Sequence, residues 1–258
     1  MGVSKLSSFV PKKGILRNKL FFPKVADMSW HPVLRQLSRL FLVSTCSLCQ
    51  RPSSDVVCSN CHRQLLSCQW KGSVKSDPMP LLGTSASSNI LSVLPWGQYR
   101  GLLKQALTRL KYDHQDELGF WLGCQLGQRW SHQTYPPGAV VIPIPLHGQR
   151  LKERGYNQSA LIAKGFCRVA GLPLAEHGLV RVKDTAAMHS LSAQARQQNL
   201  TNAFRLGQKL PPRGRSILLL DDIYTTGSTI QAAAITLLQA GYKVHCVMAV
   251  ARAVFSSP

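Results

Sequence analysis

The sequence has few acidic residues and lacks any long apolar run. Only 11 of its 258 residues are Asp or Glu, against 31 Lys and Arg, so its formal net charge is +20. Such a surplus favours polyanionic partners such as nucleic acid, phosphorylated ligands or anionic lipid. A solvated basic surface with no partner is the alternative. No apolar stretch approaches the ~18 residues of a membrane span, so none is predicted.

Two common nucleotide-binding motifs are also missing. There is no Gly-Lys-Ser/Thr segment of a P-loop, and no Gly-x-Gly-x-x-Gly of a dinucleotide-binding fold. We find no internal repeat. Hydrophobic residues nevertheless make up 45% of the chain, which is typical of a globular protein and excludes a wholly disordered one. The length allows one full-sized domain and a smaller one.

Composition divides the chain into four parts. We predict a basic tail over 1–29, an amphipathic helix and cysteine module over 30–70, a Ser-, Gly- and Pro-rich linker over 71–89, and a main domain over 90–258. A transit peptide or a nucleic-acid-binding arm is the alternative for the tail. In the main domain apolar strands alternate with amphipathic helices, which predicts an α/β fold with a mostly parallel sheet flanked by helices. The predicted strands are 90–94, 139–145, 179–182, 216–220 and 242–251, and the predicted helices are 99–110, 117–130, 157–170 and 228–240.

Four cysteines have the spacing of a metal site. Cys46 and Cys49 form one Cys-x-x-Cys pair, and Cys58 and Cys61 form a second one. Two such pairs supply the four thiolates of a tetrahedral Zn²⁺ site, which predicts a small zinc ribbon with structural zinc. The alternatives are a redox pair, a module without metal, or ligation that includes the nearby His62 or Cys68. With no secretory signal, we predict a cytoplasmic protein in which cysteines stay reduced.

A second motif follows the apolar run at 217–220. Asp221 and Asp222 come directly after it, and a hydroxyl-rich turn leads from there into a helix. The turn consists of Thr225, Thr226, Gly227, Ser228 and Thr229. Glycine allows close approach of a ligand, and a helix start offers free N–H groups to an anion. Two vicinal ribose hydroxyls suit adjacent carboxylates, so the motif predicts a ribose 5-phosphate site, although plain helix capping also uses Ser and Thr.

This motif resembles the signature of type I phosphoribosyltransferases that binds 5-phosphoribosyl pyrophosphate (PRPP). Residues from about 46 to 251 resemble the ComF/GntX family of competence-associated, phosphoribosyltransferase-like proteins. The resemblance implies a type I phosphoribosyltransferase-like fold beside the zinc ribbon. It also implies that Asp221 and Asp222 contact the ribose hydroxyls, that the 225–229 turn takes the 5-phosphate, and that Mg²⁺ accompanies PRPP.

Two further segments carry the same resemblance. The segment 142–158 is similar to the family's basic loop, so Arg150 and Arg154 are expected at the pyrophosphate, where arginine forks suit phosphate oxygens. A long segment from Arg181 through Thr185 to Phe204 is similar to the family's flexible loop over the reacting centre. The family usually has Gln where this chain has Met188. Lys111 matches a frequent family lysine and is given a weaker role.

Two functions are compatible with these residues. One is a phosphoribosyltransferase that releases pyrophosphate; its acceptor is not indicated, because no nucleobase hood is apparent. The other is a non-catalytic factor that uses the fold as a phosphate-binding platform for single-stranded DNA, as the family's association with DNA uptake and with competence-machinery proteins implies. Release of pyrophosphate would support the first, and a steep loss of DNA binding with salt would support the second.

Overall fold

A computed structural model describes residues 44–72, 78–80, 90–133, 135–183 and 203–254 of the chain. Seven strands and six helices lie within these ranges. The strands are β1 (Pro78–Pro80), β2 (Ile90–Gln98), β3 (Val140–Pro143), β4 (Leu179–Arg181), β5 (Phe204–Leu206), β6 (Ser216–Tyr224) and β7 (Lys243–Arg252). The helices are α1 (Ser59–Leu66), α2 (Gly101–Tyr112), α3 (Asp116–Arg129), α4 (Gly148–Arg154), α5 (Gln158–Ala170) and α6 (Ser228–Gln239).

Five of the strands form one sheet in the order β1-β2-β7-β6-β3. The pairs β2–β7, β7–β6 and β6–β3 are parallel, whereas β1 joins the edge antiparallel to β2. Strand β6 is an interior strand between β7 and β3, and its apolar residues 217–220 are fully buried because helices cover both faces. The predicted α/β class with a mostly parallel sheet is confirmed. Strands β4 and β5 form a separate antiparallel pair.

The two faces of the sheet carry two separate apolar cores. One contains side chains from α2, α3 and α5 together with residues of the cysteine segment, among them Cys46, Cys61 and Leu65. The other lies under α6 and includes Leu237. Helices α3 and α5 pack closely because Gly165 has no side chain: a Cβ there would lie 2.0 Å from the carbonyl oxygen of Phe120.

Several element boundaries differ from those expected from the sequence. Strand β2 continues to Gln98 and β6 to Tyr224, beyond the apolar runs that indicated them. The sequence predicted a basic turn where the structure has helix α4. None of the residues of α4 is buried, so no apolar period marked the segment as a helix. Strand β1 lies within the segment predicted to be a linker, and helix α1 within the cysteine module. The four-part division of the chain stays a prediction.

Other expectations fall on parts of the chain that are not described. The predicted tail, the amphipathic helix over 30–43 and most of the loop after Arg181 lie outside the described residues. Among the residues that the structure covers, no helix is both long enough and apolar enough to cross a bilayer.

Candidate functional site

A cavity opens at one end of the sheet because two neighbouring strands end at different points. Pro143, the last residue of β3, pairs with Leu220 of β6. Strand β6 then continues beside β7, with Asp221 opposite Ala249. The two acidic side chains therefore follow the point where one neighbour has ended, which is where α/β sheets bind ligands.

The carboxylate of Asp222 is held by a lysine from α2. Its Oδ2 lies 2.6 Å from Nζ of Lys111, and the Asp222 side chain is only 7% exposed. The backbone N–H of Ile223 donates to its Oδ1 at 2.9 Å. This partly buried ion pair fixes the direction of the Asp222 carboxylate, so Lys111 has a clear structural role at the site.

The neighbouring Asp221 has a different environment. Its Oδ1 accepts hydrogen bonds from Oγ of Ser159 and from the backbone N–H of Asp222, both at 2.9 Å. Burial, followed by the charge of Asp222, raises the pKa of Asp221 to about 8. Asp221 therefore gives up its proton less readily than a free aspartic acid does.

The 225–229 loop forms the next wall of the cavity. Gly227 is the N-cap of α6 and has φ of 77°, in the left-handed region. A Cβ on it would lie 2.6 Å from the hydroxyl oxygen of Tyr224, so both backbone and space require glycine here. Thr226 Oγ1 and Ser228 Oγ lie 3.1 Å apart. Hydroxyls and the first N–H groups of α6 are thus gathered at one point, as an anion requires.

The opposite wall is basic and comes from α4 and the start of α5. Arg154 Nη1 donates to Oε1 of Gln158 at 3.2 Å. Asn157 caps α5 by accepting from the N–H of Ser159, and its own amide donates to the carbonyl of Ile144 at 3.1 Å. These bonds join the end of α4 to the residue after β3 and hold Arg154 at the cavity wall.

The first cavity, as we call this space, has a volume of about 690 Å³. The predicted site residues among those lining it are Lys111, Arg150, Arg154, Arg181, Asp221, Asp222, Thr225, Thr226, Ser228 and Thr229. The four cations outnumber the two acids, which suits a ligand with several negative charges.

Three outcomes qualify the predicted set. Gly227 supports the loop from behind and does not line the cavity. Thr185 lies outside the described residues, as does Met188. Sequence analysis missed Ser159 and Tyr99, which also line the first cavity. Ser159 is 1% exposed, and the only sequence signal for it is its position two residues after a helix-capping asparagine.

A second cluster, formed by Cys46, Cys49, Cys58 and Cys61, brings four sulfurs together. All four Sγ atoms lie within 4.8 Å of one another, and those of Cys49 and Cys58 are 3.7 Å apart. In a tetrahedral site with Zn–S bonds of about 2.3 Å the sulfurs are about 3.8 Å apart. The donor set and its spacing therefore fit a structural zinc ion.

The environment of the cysteine cluster supports the same fit. The backbone N–H groups of Leu48 and Cys58 both point to Sγ of Cys46, and such donors favour a thiolate. The two alternative ligands are engaged elsewhere. His62 Nε2 lies 3.1 Å from Oε1 of Gln125, and Cys68 Sγ donates to the carbonyl of Arg100. The four cysteines could hold the ion by themselves.

Comparisons with known proteins identify similar chains. Competence protein F of Haemophilus influenzae is 30% identical over 213 residues, which cover 76% of this chain and 90% of that protein. DNA utilization protein YhgH of Salmonella typhimurium is 37% identical over 158 residues, covering 57% and 68%. Competence protein ComFC of Bacillus subtilis is 28% identical over 199 residues, covering 76% and 72%. No family model matches the chain.

Proposed function

The chain belongs to the ComF family of competence proteins, and from this premise we propose that it binds PRPP with Mg²⁺ and acts in DNA uptake in the cytoplasm. One observation carries the ligand: two carboxylates, a hydroxyl-rich helix start and a group of arginines line the same cavity. PRPP has a vicinal diol, a 5-phosphate and a diphosphate, so each kind of lining group has a matching ligand group. The names of the relatives support the role in DNA uptake.

In the proposed complex each wall of the first cavity has its own task. Asp221 and Asp222 accept hydrogen bonds from the ribose hydroxyls, and the 225–229 loop binds the 5-phosphate through backbone N–H groups and hydroxyls. Arg150 and Arg154 bind the diphosphate. Mg²⁺ commonly binds through one or two carboxylates together with substrate phosphates, and would lower the charge of the diphosphate here. Zinc in the cysteine cluster would serve structure and take no part in these contacts.

Transfer of the phosphoribosyl group is the catalytic form of this proposal. The bond between C1 and the diphosphate oxygen would break, and diphosphate would leave with the electron pair while an acceptor atom bonds to C1. Arg150, Arg154 and Arg181 would stabilise the charge that develops on diphosphate, with Thr185 proposed from the family resemblance alone. A binding protein without turnover is the alternative, and the net charge of +20 favours single-stranded DNA as its partner.

Calorimetric titration with PRPP and Mg²⁺ tests the proposal. We expect saturable binding by the wild type and a loss of at least about tenfold in affinity for the double variant Asp221→Asn/Asp222→Asn, because one good charge-assisted hydrogen bond is worth about 1.5–3 kcal/mol. The double variant Asp55→Asn/Asp116→Asn is the matched control. It removes two exposed carboxylates that do not line the first cavity, and should bind within about twofold of wild type.

Failure of the folded, zinc-loaded wild type to bind PRPP would reject the ligand. If binding is present, an assay for released pyrophosphate in the presence of candidate acceptors separates the enzyme from the binding protein. Affinity for single-stranded DNA measured over a range of salt concentrations tests the alternative, whose sign is a steep linear fall of log affinity with log salt.

A further inference from the structure

A second cavity adjoins the first and shares three cations with it. Its volume is about 280 Å³, and its lining residues are Lys111, Tyr112, His114, Arg150, Glu153 and Arg154. Lys111, Arg150 and Arg154 also line the first cavity. The two spaces are therefore neighbours that share three positively charged side chains.

Tyr112 gives the second cavity an aromatic surface. It is the last residue of α2 and 66% exposed, although it is a large hydrophobic side chain. The guanidinium carbon of Arg154 lies 5.3 Å from the centre of its ring. One ring face is thus supported by a cation, while most of the side chain stays open to solvent. Proteins that bind single-stranded nucleic acid combine such rings with a positive groove, because bases stack on the rings and phosphates follow the groove.

From these contacts we propose that the second cavity binds a nucleotide of a single-stranded nucleic acid, with its base stacked on Tyr112 and its phosphate at Arg150 and Arg154. The proposal rests on the proposed function in taking the first cavity as the site of a ribose 5-phosphate. The exposed side of Tyr112 lets the strand leave toward solvent.

Charge and openness favour a strand over a free nucleobase. A free base is selected by hydrogen-bonding groups in an enclosed slot, whereas here Tyr112 and His114 are exposed and the cations Lys111, Arg150 and Arg154 outnumber the single acid Glu153. Glu153 Oε1 accepts a hydrogen bond from Gln149 on the same helix. The net positive charge of the side chains that line the second cavity suits a phosphodiester group.

Fluorescence anisotropy with a labelled single-stranded DNA of about ten nucleotides, within the usual site sizes, tests the proposal at one fixed salt concentration. We expect Tyr112→Leu to weaken binding about tenfold, because base–aromatic stacking is lost, and Tyr112→Phe to stay within about twofold. A DNA of the same length without bases should bind the wild type about tenfold more weakly. The DNA without bases should bind Tyr112→Leu no more weakly than it binds the wild type. Removal of the bases and removal of the Tyr112 ring eliminate the same contact, so their effects should not add.

Three results separate this proposal from the proposed function. Unchanged DNA affinity in Tyr112→Leu overturns the stacking site, and so does an equal loss for the DNA with bases and the DNA without them. Calorimetry with ribose 5-phosphate should give the same affinity for Tyr112→Leu as for the wild type, because Tyr112 does not line the first cavity; a parallel loss would overturn the proposal by revealing general damage. Absence of PRPP binding by the wild type in the presence of Mg²⁺ rejects the proposed function whatever the DNA results are.

Discussion

The cysteine cluster and the first cavity are assembled from the chain in different ways. The four cysteines lie within the short segment 46–61 and meet through two tight turns and the start of α1. The residues that line the first cavity are spread from Tyr99 to Thr229. They meet because β3 and β6 end at one edge of the sheet, where α2, α4, α5 and α6 also contribute residues. A local site can be found from spacing, whereas a dispersed one depends on topology.

Helix α2 connects the two regions. Arg109 Nη1 donates to the carbonyl of Ser47 at 3.0 Å, in the turn that carries the first cysteines. Lys111, two residues further, forms the ion pair with Asp222. Residues two apart lie on different faces of a helix, so one helix contacts the cysteine segment on one side and the first cavity on the other. Loss of the contact between Arg109 and Ser47 should therefore affect mainly stability, and loss of the ion pair between Lys111 and Asp222 mainly ligand affinity.

The largest expected effect is on the cysteine cluster. Cys61→Ala should abolish zinc binding and lower the free energy of unfolding by at least about 3 kcal/mol, because metal stabilises so small a module directly. The measurements are metal content and urea denaturation. Cys68→Ala is the matched control: Cys68 is buried in the same segment but outside the cluster, so its variant should keep the metal. Full stability of Cys61→Ala without metal would contradict the structural role.

A smaller effect is expected at the 225–229 loop. Gly227→Ala should destabilise the fold, since a left-handed alanine costs about 1–2 kcal/mol and its Cβ would also meet Tyr224. Gly171→Ala, with φ of 67° and no neighbouring atom within 4 Å, should show the backbone cost alone. Thermal and urea denaturation give both values, and calorimetry should show weaker PRPP binding only for the first variant. Equal destabilisation of the two variants would mean that the Tyr224 side chain moves aside without a cost in free energy.

The smallest and most gradual effect is a pH dependence at Asp221. Its pKa is raised to about 8 in the folded protein, against about 3.9 in an unfolded chain. Between these values the folded state binds more protons than the unfolded state, so the contribution of Asp221 to stability falls as pH rises through this range. Melting temperatures from pH 5 to 8 should show this fall, and Asp221→Asn should flatten it. An unchanged slope in Asp221→Asn would assign the fall to other groups.

Prediction from the sequence succeeded where short-range patterns carry the information. Residues 217–220 indicated a strand buried on both faces, and the N-cap Asn157 and the left-handed Gly171 mark the ends of α5 close to the expected bounds. Helix α4 was not predicted, because none of its side chains is buried and no apolar period marks it. Strand β1 has only three residues, too few for a pattern.

The sequence by itself determined the α/β class, the cysteine cluster and the gathering of carboxyl and hydroxyl groups in the 221–229 segment, because each depends on residues close together in the chain. Only the tertiary structure decided which distant groups meet: Lys111 with Asp222, Ser159 with Asp221, and Tyr112 with Arg154. These contacts depend on strand order and on where each strand ends, and neither leaves a local trace in the sequence. The same packing that closes the core therefore brings the charged groups of both cavities together.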